Sequence, residues 1–320
     1  MTQISVIVPV FNEEESLPEL TQWISRVMNE HGFSYEVILV NDGSTDRSWE
    51  VIQKVSSQNP HLKGLNFTRN YGKSAALDAG FRRAIGEVVI TMDADLQDSP
   101  DEIPGLYEAV IKEGLDVVSG WKKERHDPIS KTIPSKFFNG VTRWISGIQL
   151  HDFNCGLKAY RNKVVKNIHV YGEMHRYIPL LAKWNGFGKI GERVVQHQAR
   201  KYGYSKFGLE RFLNGFLDLI TVSFVHRYKK KPMHFFGLLG TVSFMTGFVI
   251  TAWLIFEKIY GLSKGLKVRE VVDQPLFFLA LVALIIGVQL FVTGFIAELM
   301  TSNQSKEIEY KIDEELNFDF

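Results

Sequence analysis

Two stretches of this 320-residue chain contain no Asp, Glu, Lys or Arg: the 24 residues Met233–Phe256 and the 23 residues Pro275–Ala297. An α-helix rises about 1.5 Å per residue, so each stretch is long enough to cross a hydrocarbon core of about 30 Å. A helix in water rarely runs about six turns without a charge on any face, which disfavours the competing reading, a pair of buried core helices. The expectation is two membrane spans, 233–256 and 275–299, joined by a short polar loop, 257–274, so that both outer ends emerge on one side. Orientation is close to balanced. Arg227, Lys229, Lys230 and Lys231 precede the first span and Lys258, Lys264, Lys267 and Arg269 occupy the loop, while Lys306 and Lys311 tip the count toward a cytoplasmic body.

The first 120 residues have a different pattern. Short apolar, β-branched runs at Ile4–Val10, Glu36–Val40, Lys63–Phe67, Glu87–Met92 and Asp116–Ser119 alternate with helical spacing, as in Ser16–Asn29 and Asp46–Ser57. Such alternation implies an α/β domain built on a mostly parallel sheet covered on both faces. Ligands of such sheets bind beyond the C-terminal ends of the strands. The N-terminus enters the first run directly, without the basic, apolar and small-residue pattern of a signal peptide. The lone Cys155 permits no intrachain disulfide and suits a reducing compartment.

The net charge of +1 hides a segregation: residues 1–50 sum to −7, residues 151–250 to +11 and residues 301–320 to −4. A basic third quarter suits phosphate groups or an anionic membrane face. No helix-turn-helix, zinc-finger or RNA-binding signature accompanies it, so nucleic acid is not the expected partner. Phe212, Phe216, Leu219, Ile220 and Phe224 recur at helical spacing between Arg211 and Arg227. That pattern fits an amphipathic helix in the membrane interface, within 207–232; an ordinary docking helix is the other reading.

Polar residues follow the strand-like runs. Asp93, Asp95 and Gln97 stand at i, i+2 and i+4 after the fourth run, a set of hard oxygen donors suited to Mg²⁺ or Mn²⁺ with phosphate oxygens completing the octahedron. Asp42 follows the second run in Asn41-Asp42-Gly43-Ser44-Thr45-Asp46, where Ser44 and Asp46 also read as turn and helix-cap residues. The first run ends in Pro9-Val10-Phe11-Asn12-Glu13. Three strand ends thus bring polar residues to one sheet edge, where a nucleotide would lie.

In order along the chain, VIVPVFNEEESL, VNDGSTD, RNYGKSAALDAGF and TMDADLQDSPDEIP resemble the GT-A domain of family 2 glycosyltransferases. The continuation, DFNCGLK, then RKYGYSK and two spans, is similar to the polyprenyl-phosphate hexosyltransferases, among them bactoprenol glucosyltransferases and dolichol-phosphate mannose synthases. The resemblance covers roughly residues 1–300 and omits the acidic tail, 300–320. It implies a catalytic domain over 1–206. It also implies an inverting transfer of one hexose from a nucleotide-sugar to undecaprenyl phosphate, at the cytoplasmic leaflet of the inner membrane. UDP-glucose is the favoured donor and GDP-mannose the other one the family offers. Pro9, Phe11, Glu13 and Asp42 match nucleoside contacts, and Asp93 a ribose or metal contact. Asp95 and Gln97 match metal ligands, with Mg²⁺ or Mn²⁺ as cofactor. Arg200 matches a basic residue near the transferring phosphates, with Lys206 assisting it; Lys131, Ser135 and Lys206 fall where the lipid phosphate binds. Asp152 matches the acid often taken as the catalytic base. Packed tetramers would suit such two-span anchors.

A polyprenyl phosphate is already an anion at pH 7, its second pKa being near ~6, so its oxygen needs little help losing a proton. Asp152 is therefore expected to position or tune more than to abstract. Two patterns mislead. Gly186-Phe187-Gly188-Lys189-Ile190-Gly191 is a literal dinucleotide fingerprint, but a helix-like segment precedes it and an extended one follows, the reverse of the required order. Arg143-Trp144 resembles part of the Q-x-x-R-W of processive polysaccharide synthases, yet Gly140 stands at the Gln position. A processive synthase and a catalytically silent membrane adaptor are the alternatives. The intact Asp93, Asp95, Gln97, Asp152 and Arg200 speak against the adaptor.

Overall fold

The computed structural model describes residues 2–123, 139–144, 146–198, 201–202, 224, 231–302 and 312–317. Lys131, Ser135, Arg200, Lys206 and nearly all of the expected interfacial helix lie outside these residues. The chain divides into two units, residues 1–220 with 308–320, and residues 221–307.

In the first unit the expected runs form β1 (Ile4–Val10), β2 (Tyr35–Asn41), β3 (Leu62–Phe67), β4 (Val88–Thr91) and β5 (Val117–Trp121). Three further strands, β6 (Lys158–Arg161), β7 (Ile190–Val194) and β8 (Ile312–Leu316), complete one sheet in the order β7-β5-β6-β4-β1-β2-β3-β8. The sheet is mixed. β3, β2, β1 and β4 run parallel, as do β5 and β7, whereas β6 is antiparallel to both β4 and β5, and β8 to β3.

Helices α1 (Leu17–Glu30), α2 (Ser48–Gln58), α3 (Lys73–Arg83) and α4 (Ile103–Ile111) connect the parallel strands and cover both faces. The period of two in β1 shows how: Val6, Val8 and Val10 join Leu17, Leu20, Ile24, Ile103 and Leu106 in one cluster. Ile7 faces the other way, where a Cβ on Gly80 of α3 would meet its Cγ2 at 2.5 Å. Burial on both faces is why the strands read as continuous apolar runs rather than alternating ones. The short helices α5 (Asn162–Asn167) and α6 (Ile178–Trp184) lie between β6 and β7. The false fingerprint thus follows a helix and leads into a strand, as its flanking sequence indicated.

The acidic tail supplies the edge strand β8. Leu316 packs onto the core, and Trp49 Nε1 donates to Glu314 Oε2 at 3.0 Å. Arg83 pairs with Glu315, and Asn317 Nδ2 donates to the carbonyls of Ser56 and Leu62 at 2.9 and 3.0 Å. An unpaired β3 edge would be a template for pairing with another chain; the tail occupies it.

The second unit is a hairpin of α7 (Pro232–Ser263) and α8 (Pro275–Ser302), both long and apolar enough to cross a membrane. Their large side chains face outward, with Phe248, Val249, Trp253 and Phe295 all more than half exposed. Core helices of a soluble protein bury such residues. What holds the pair together is close backbone approach: a Cβ on Gly240 would meet the carbonyl oxygen of Gly287 at 2.7 Å, and one on Gly287 would meet Phe244 N at 2.6 Å. Small residues of this kind bring helices together where lipid tails remove the hydrophobic drive.

Leu316→Ala is expected to cost about 1–2 kcal/mol, since the side chain is half-buried. For a unit of this size that is a melting temperature lower by ~2–8 °C. Thermal melting of the full chain in detergent, followed by far-UV circular dichroism, checks it.

Candidate active site

Register sets the geometry of the site. Val10 of β1 pairs with Asn41 of β2, and Ile7 with Thr91 of β4, so Pro9 and Asp93 finish level with each other. The loops that follow β1 and β2 are laced together. Asn12 N donates to Ser44 Oγ at 3.0 Å and Thr45 N donates to Asn12 Oδ1 at 2.8 Å. Glu13 N donates to Ser48 Oγ at 2.9 Å, and Arg47 N to Glu14 Oε2 at 2.8 Å. Asn12 takes the left-handed conformation, φ 58°. Phe11 is left 37% exposed at the rim, an apolar face on which a nucleobase could stack.

Asp42 is 4% exposed, and its two oxygens accept from Tyr71 N at 2.7 Å and Gly72 N at 2.9 Å. Burial raises its carboxyl above the usual range, against the pull of those two N–H groups. Asp42 thereby ties the end of β2 to the loop before α3. That loop delivers Lys73, the first residue of α3, whose ammonium pairs with Asp93. Burial pushes the Asp93 carboxyl up, but the charge and hydrogen bond of Lys73, with the Lys122 and His175 charges, together outweigh it and hold the group well below the ordinary carboxylate range.

Around this ion pair lies a small recess lined by Pro9, Lys73, Asp93, Asn154, Gly156, Lys158, His175 and Arg176 among others. Lys158 is 3% exposed and donates to the Cys155 carbonyl. Burial lowers its pKa, partly offset by the Asp152 and Asp93 carboxylates. His175 is anchored to Ser74, its backbone N donating to Ser74 Oγ at 3.0 Å. Burial, then the Lys73 and Arg176 charges, hold its imidazole well below the ordinary range, so it is neutral at pH 7. Burial pushes the Cys155 thiol up to about 12, which removes it as a nucleophile.

After Asp93 the chain makes a tight turn in which Leu96 adopts φ 59° while its side chain is 3% exposed in the core. A left-handed non-glycine residue costs about 1–2 kcal/mol, offset here by burying a leucine. Gln97 is half-buried, and Asp95, 8% exposed, accepts from Gln97 N at 3.2 Å. Among the described residues no three Asp, Glu, His or Cys side chains are gathered as a ready metal cage. The donor set nonetheless suits a hard divalent cation: two carboxylates and one amide on a single turn fit an ion that takes the rest of its shell from phosphate and water.

Asp152 is 1% exposed and is not among the residues lining the recess. Its Oδ1 accepts from Asn154 N at 3.0 Å, and its carbonyl accepts from Ser119 Oγ at 3.2 Å. The structure thus brings Pro9, Phe11, Glu13, Asp42, Asp93, Asp95 and Gln97 to one edge, with Asp152 beneath the adjoining turn. Sequence reasoning missed Lys73, Lys158, His175 and Arg176. Lys73 had a signal, a Gly-Lys pair opening a helix within RNYGKSAALDAGF, and Lys158 closes DFNCGLK; His175 and Arg176 become neighbours only through the 174–177 turn.

The family model described as glycosyl transferase family 2 matches residues 5–169. The chain belongs to this family. It is 37% identical over 93% of its length to the dodecaprenyl-phosphate galacturonate synthase of Rhizobium johnstonii, covering 87% of that protein. It is 35% identical over 92% of its length to the undecaprenyl-phosphate 4-deoxy-4-formamido-L-arabinose transferase of Pectobacterium carotovorum, covering 87% of it. Among solved structures it resembles glucosyl-3-phosphoglycerate synthase of Mycobacterium tuberculosis bound to Mn²⁺ and UDP-glucose. There the identity is 20%, the TM-score 0.53, and the match covers 70% of this chain and 79% of that one. Mannosyl-3-phosphoglycerate synthase of Rubrobacter xylanophilus gives a TM-score of 0.58 at 14% identity, over 71% and 75%. The fold is therefore GT-A and the protein a glycosyltransferase, with two helices fit to span a membrane.

A Cβ on Gly156 would lie 2.5 Å from Asp93 Oδ2 and 2.7 Å from its Cγ. Gly156→Ala is expected to leave the fold intact, because only one side-chain end must move. It should slow sugar transfer by about 10²-fold, the cost of an ångström-scale misplacement. Initial rates, with circular dichroism as the folding control, check it.

Proposed function

We propose that this glycosyltransferase moves one sugar from a nucleotide-sugar to a polyprenyl phosphate at the cytoplasmic leaflet of the inner membrane, inverting the anomeric centre. What carries the reading is similarity over more than nine-tenths of the chain to transferases named for polyprenyl-phosphate acceptors, spans included. The two apolar helices suit an enzyme whose acceptor is a lipid.

In this reading Phe11 and Pro9 flank the base and ribose, and Glu13 and Asp42 hold the nucleoside loops. Asp93, Asp95 and Gln97 hold Mg²⁺ or Mn²⁺, whose charge, when bound, offsets that growing on the departing nucleoside diphosphate. Lys73 holds Asp93 ionised, and its ammonium, at the start of α3, adds positive charge beside the diphosphate. Lys158, in the floor of the same recess, adds a further buried cation when protonated. The neutral His175 and Asn154 offer hydrogen bonds to sugar hydroxyls without adding charge. Lys131, Ser135, Arg200 and Lys206 bind the acceptor and diphosphate oxygens. Asp152, being buried, orients the turn that bears Asn154 and Gly156 and acts electrostatically, while the acceptor phosphate attacks as the anion it already is.

UDP-glucose remains the favoured hexose donor. The relatives named for galacturonate and formamido-arabinose add nucleotide-linked galacturonate and formamido-arabinose to the same screen, beside GDP-mannose.

Purified protein, undecaprenyl phosphate, Mg²⁺ or Mn²⁺ and a panel of radiolabelled nucleotide-sugars should yield chloroform-extractable label with at least one donor. No lipid-linked label with any donor sinks the proposal. Asp95→Ala should reduce transfer by at least about 10²-fold, the scale of losing one charge-stabilising contact. Asp152→Asn should also be slow, with a pH–rate profile lowered in height but unchanged in shape; loss of one limb would instead make Asp152 a true base.

A further inference from the structure

Directly after the turn that carries Asp95 and Gln97 comes Asp98, a carboxylate with no exposure to solvent. Its Oδ1 lies 2.8 Å from Nζ of Lys122, whose side chain is 15% exposed at the end of β5. Its Oδ2 is buried and accepts no hydrogen bond among the described residues. Apolar residues of similar volume often stabilise a fold as well as a buried ion pair does, whereas removing one partner leaves an uncompensated charge. A pair in this position therefore makes more sense as a device that fixes one arrangement than as a source of stability.

The arrangement it fixes has three members. Asp98 forms an isolated antiparallel bridge with His197, and Gln198 N donates to the Gln97 carbonyl at 2.9 Å. Gln196 N donates to Glu102 Oε1 at 3.0 Å. Val195 N in turn donates to the Trp121 carbonyl at 3.1 Å, next to Lys122. The metal-ligand turn, the end of β5 and the 195–198 segment thus hold one another, and Asp98–Lys122 is the charged contact joining the first two.

We propose that the Asp98–Lys122 pair is a positioning element for the diphosphate end of the site. It fixes the turn bearing Asp95 and Gln97 and, through the backbone ladder, residues 196–198. It thereby sets affinity for a divalent cation with a nucleoside diphosphate. This rests on the metal-dependent nucleotide-sugar reading above. Neither residue is placed against the reacting atoms.

The test uses the full chain in detergent and Mn²⁺ with UDP or GDP, whichever the wild type binds, reading free Mn²⁺ by electron paramagnetic resonance alongside steady-state kinetics and thermal melting. Asp98→Asn and Lys122→Met should each weaken Mn²⁺–nucleotide binding by about 10–100-fold, as loss of an outer-shell partner does. They should raise the donor KM with the acceptor KM unchanged, and Lys122→Arg should retain most of the binding. The double variant Asp98→Asn/Lys122→Met, which removes both buried charges, should melt near wild type yet still bind weakly. That comparison decides the matter should either single variant fail to fold. Wild-type Mn²⁺ affinity in a folded single variant, or in the double variant, overturns the proposal. A wild type that binds nucleotide but no Mn²⁺ overturns the metal reading itself and this proposal with it; weakening confined to the variants leaves that reading intact.

Discussion

The ion pair between Lys73 and Asp93 is the contact on which the rest of the site depends. It joins the start of α3 to the end of β4, two elements that no local sequence rule brings together. An ionised carboxylate half out of water needs a cation beside it, and Lys73 supplies one before any ligand arrives. The surroundings follow from that pair. Gly156 has no side chain because Asp93 fills the space where one would go. His175 is neutral because it is buried beside two cations. The β2 end is bound to the same helix start through Asp42 and the backbone of Tyr71 and Gly72. The loops after β1 and β2, the turn carrying Asp95 and Gln97, and the recess are therefore one mechanically connected edge.

The two units are stabilised by different physics. In the first, both faces of the sheet bury apolar side chains away from water, and the core cluster runs from β1 and β2 to β5 and β6. In the second, large apolar side chains point outward and the helices meet through glycines. Burial of apolar area drives the one and close packing the other, the contrast expected between water and lipid as solvents. A mean hydropathy of −0.06 averages the two and describes neither.

The C-terminal tail shows how charge alone can mislead. Residues 301–320 sum to −4, which suggests a solvated appendage, yet alternate side chains of β8 serve different ends. Glu314 is held by Trp49, Glu315 by Arg83, and Leu316 packs on the core. Five residues, three of them acidic and apolar only at the two ends, are too short and too charged to announce a strand. The edge of β3 supplies the missing half of the hydrogen bonds, and only the folded sheet exposes that edge.

The first five strands, the helices between them and both long apolar helices were legible in the sequence because each rests on local periodicity or an uninterrupted apolar run. So were the acidic residues at the strand ends, since a parallel sheet must present its C-terminal ends together. Tertiary structure alone decided which charges face one another. Lys73 and Asp93 are 20 residues apart, Asp98 and Lys122 are 24, and Ser74 and His175 are 101. It also decided that Asp152 lies under a turn rather than on the recess wall, and that β6 runs against its neighbours. Local pattern reports what each segment buries; the partners of a buried charge depend on strand order and register, which are settled only when distant segments pack.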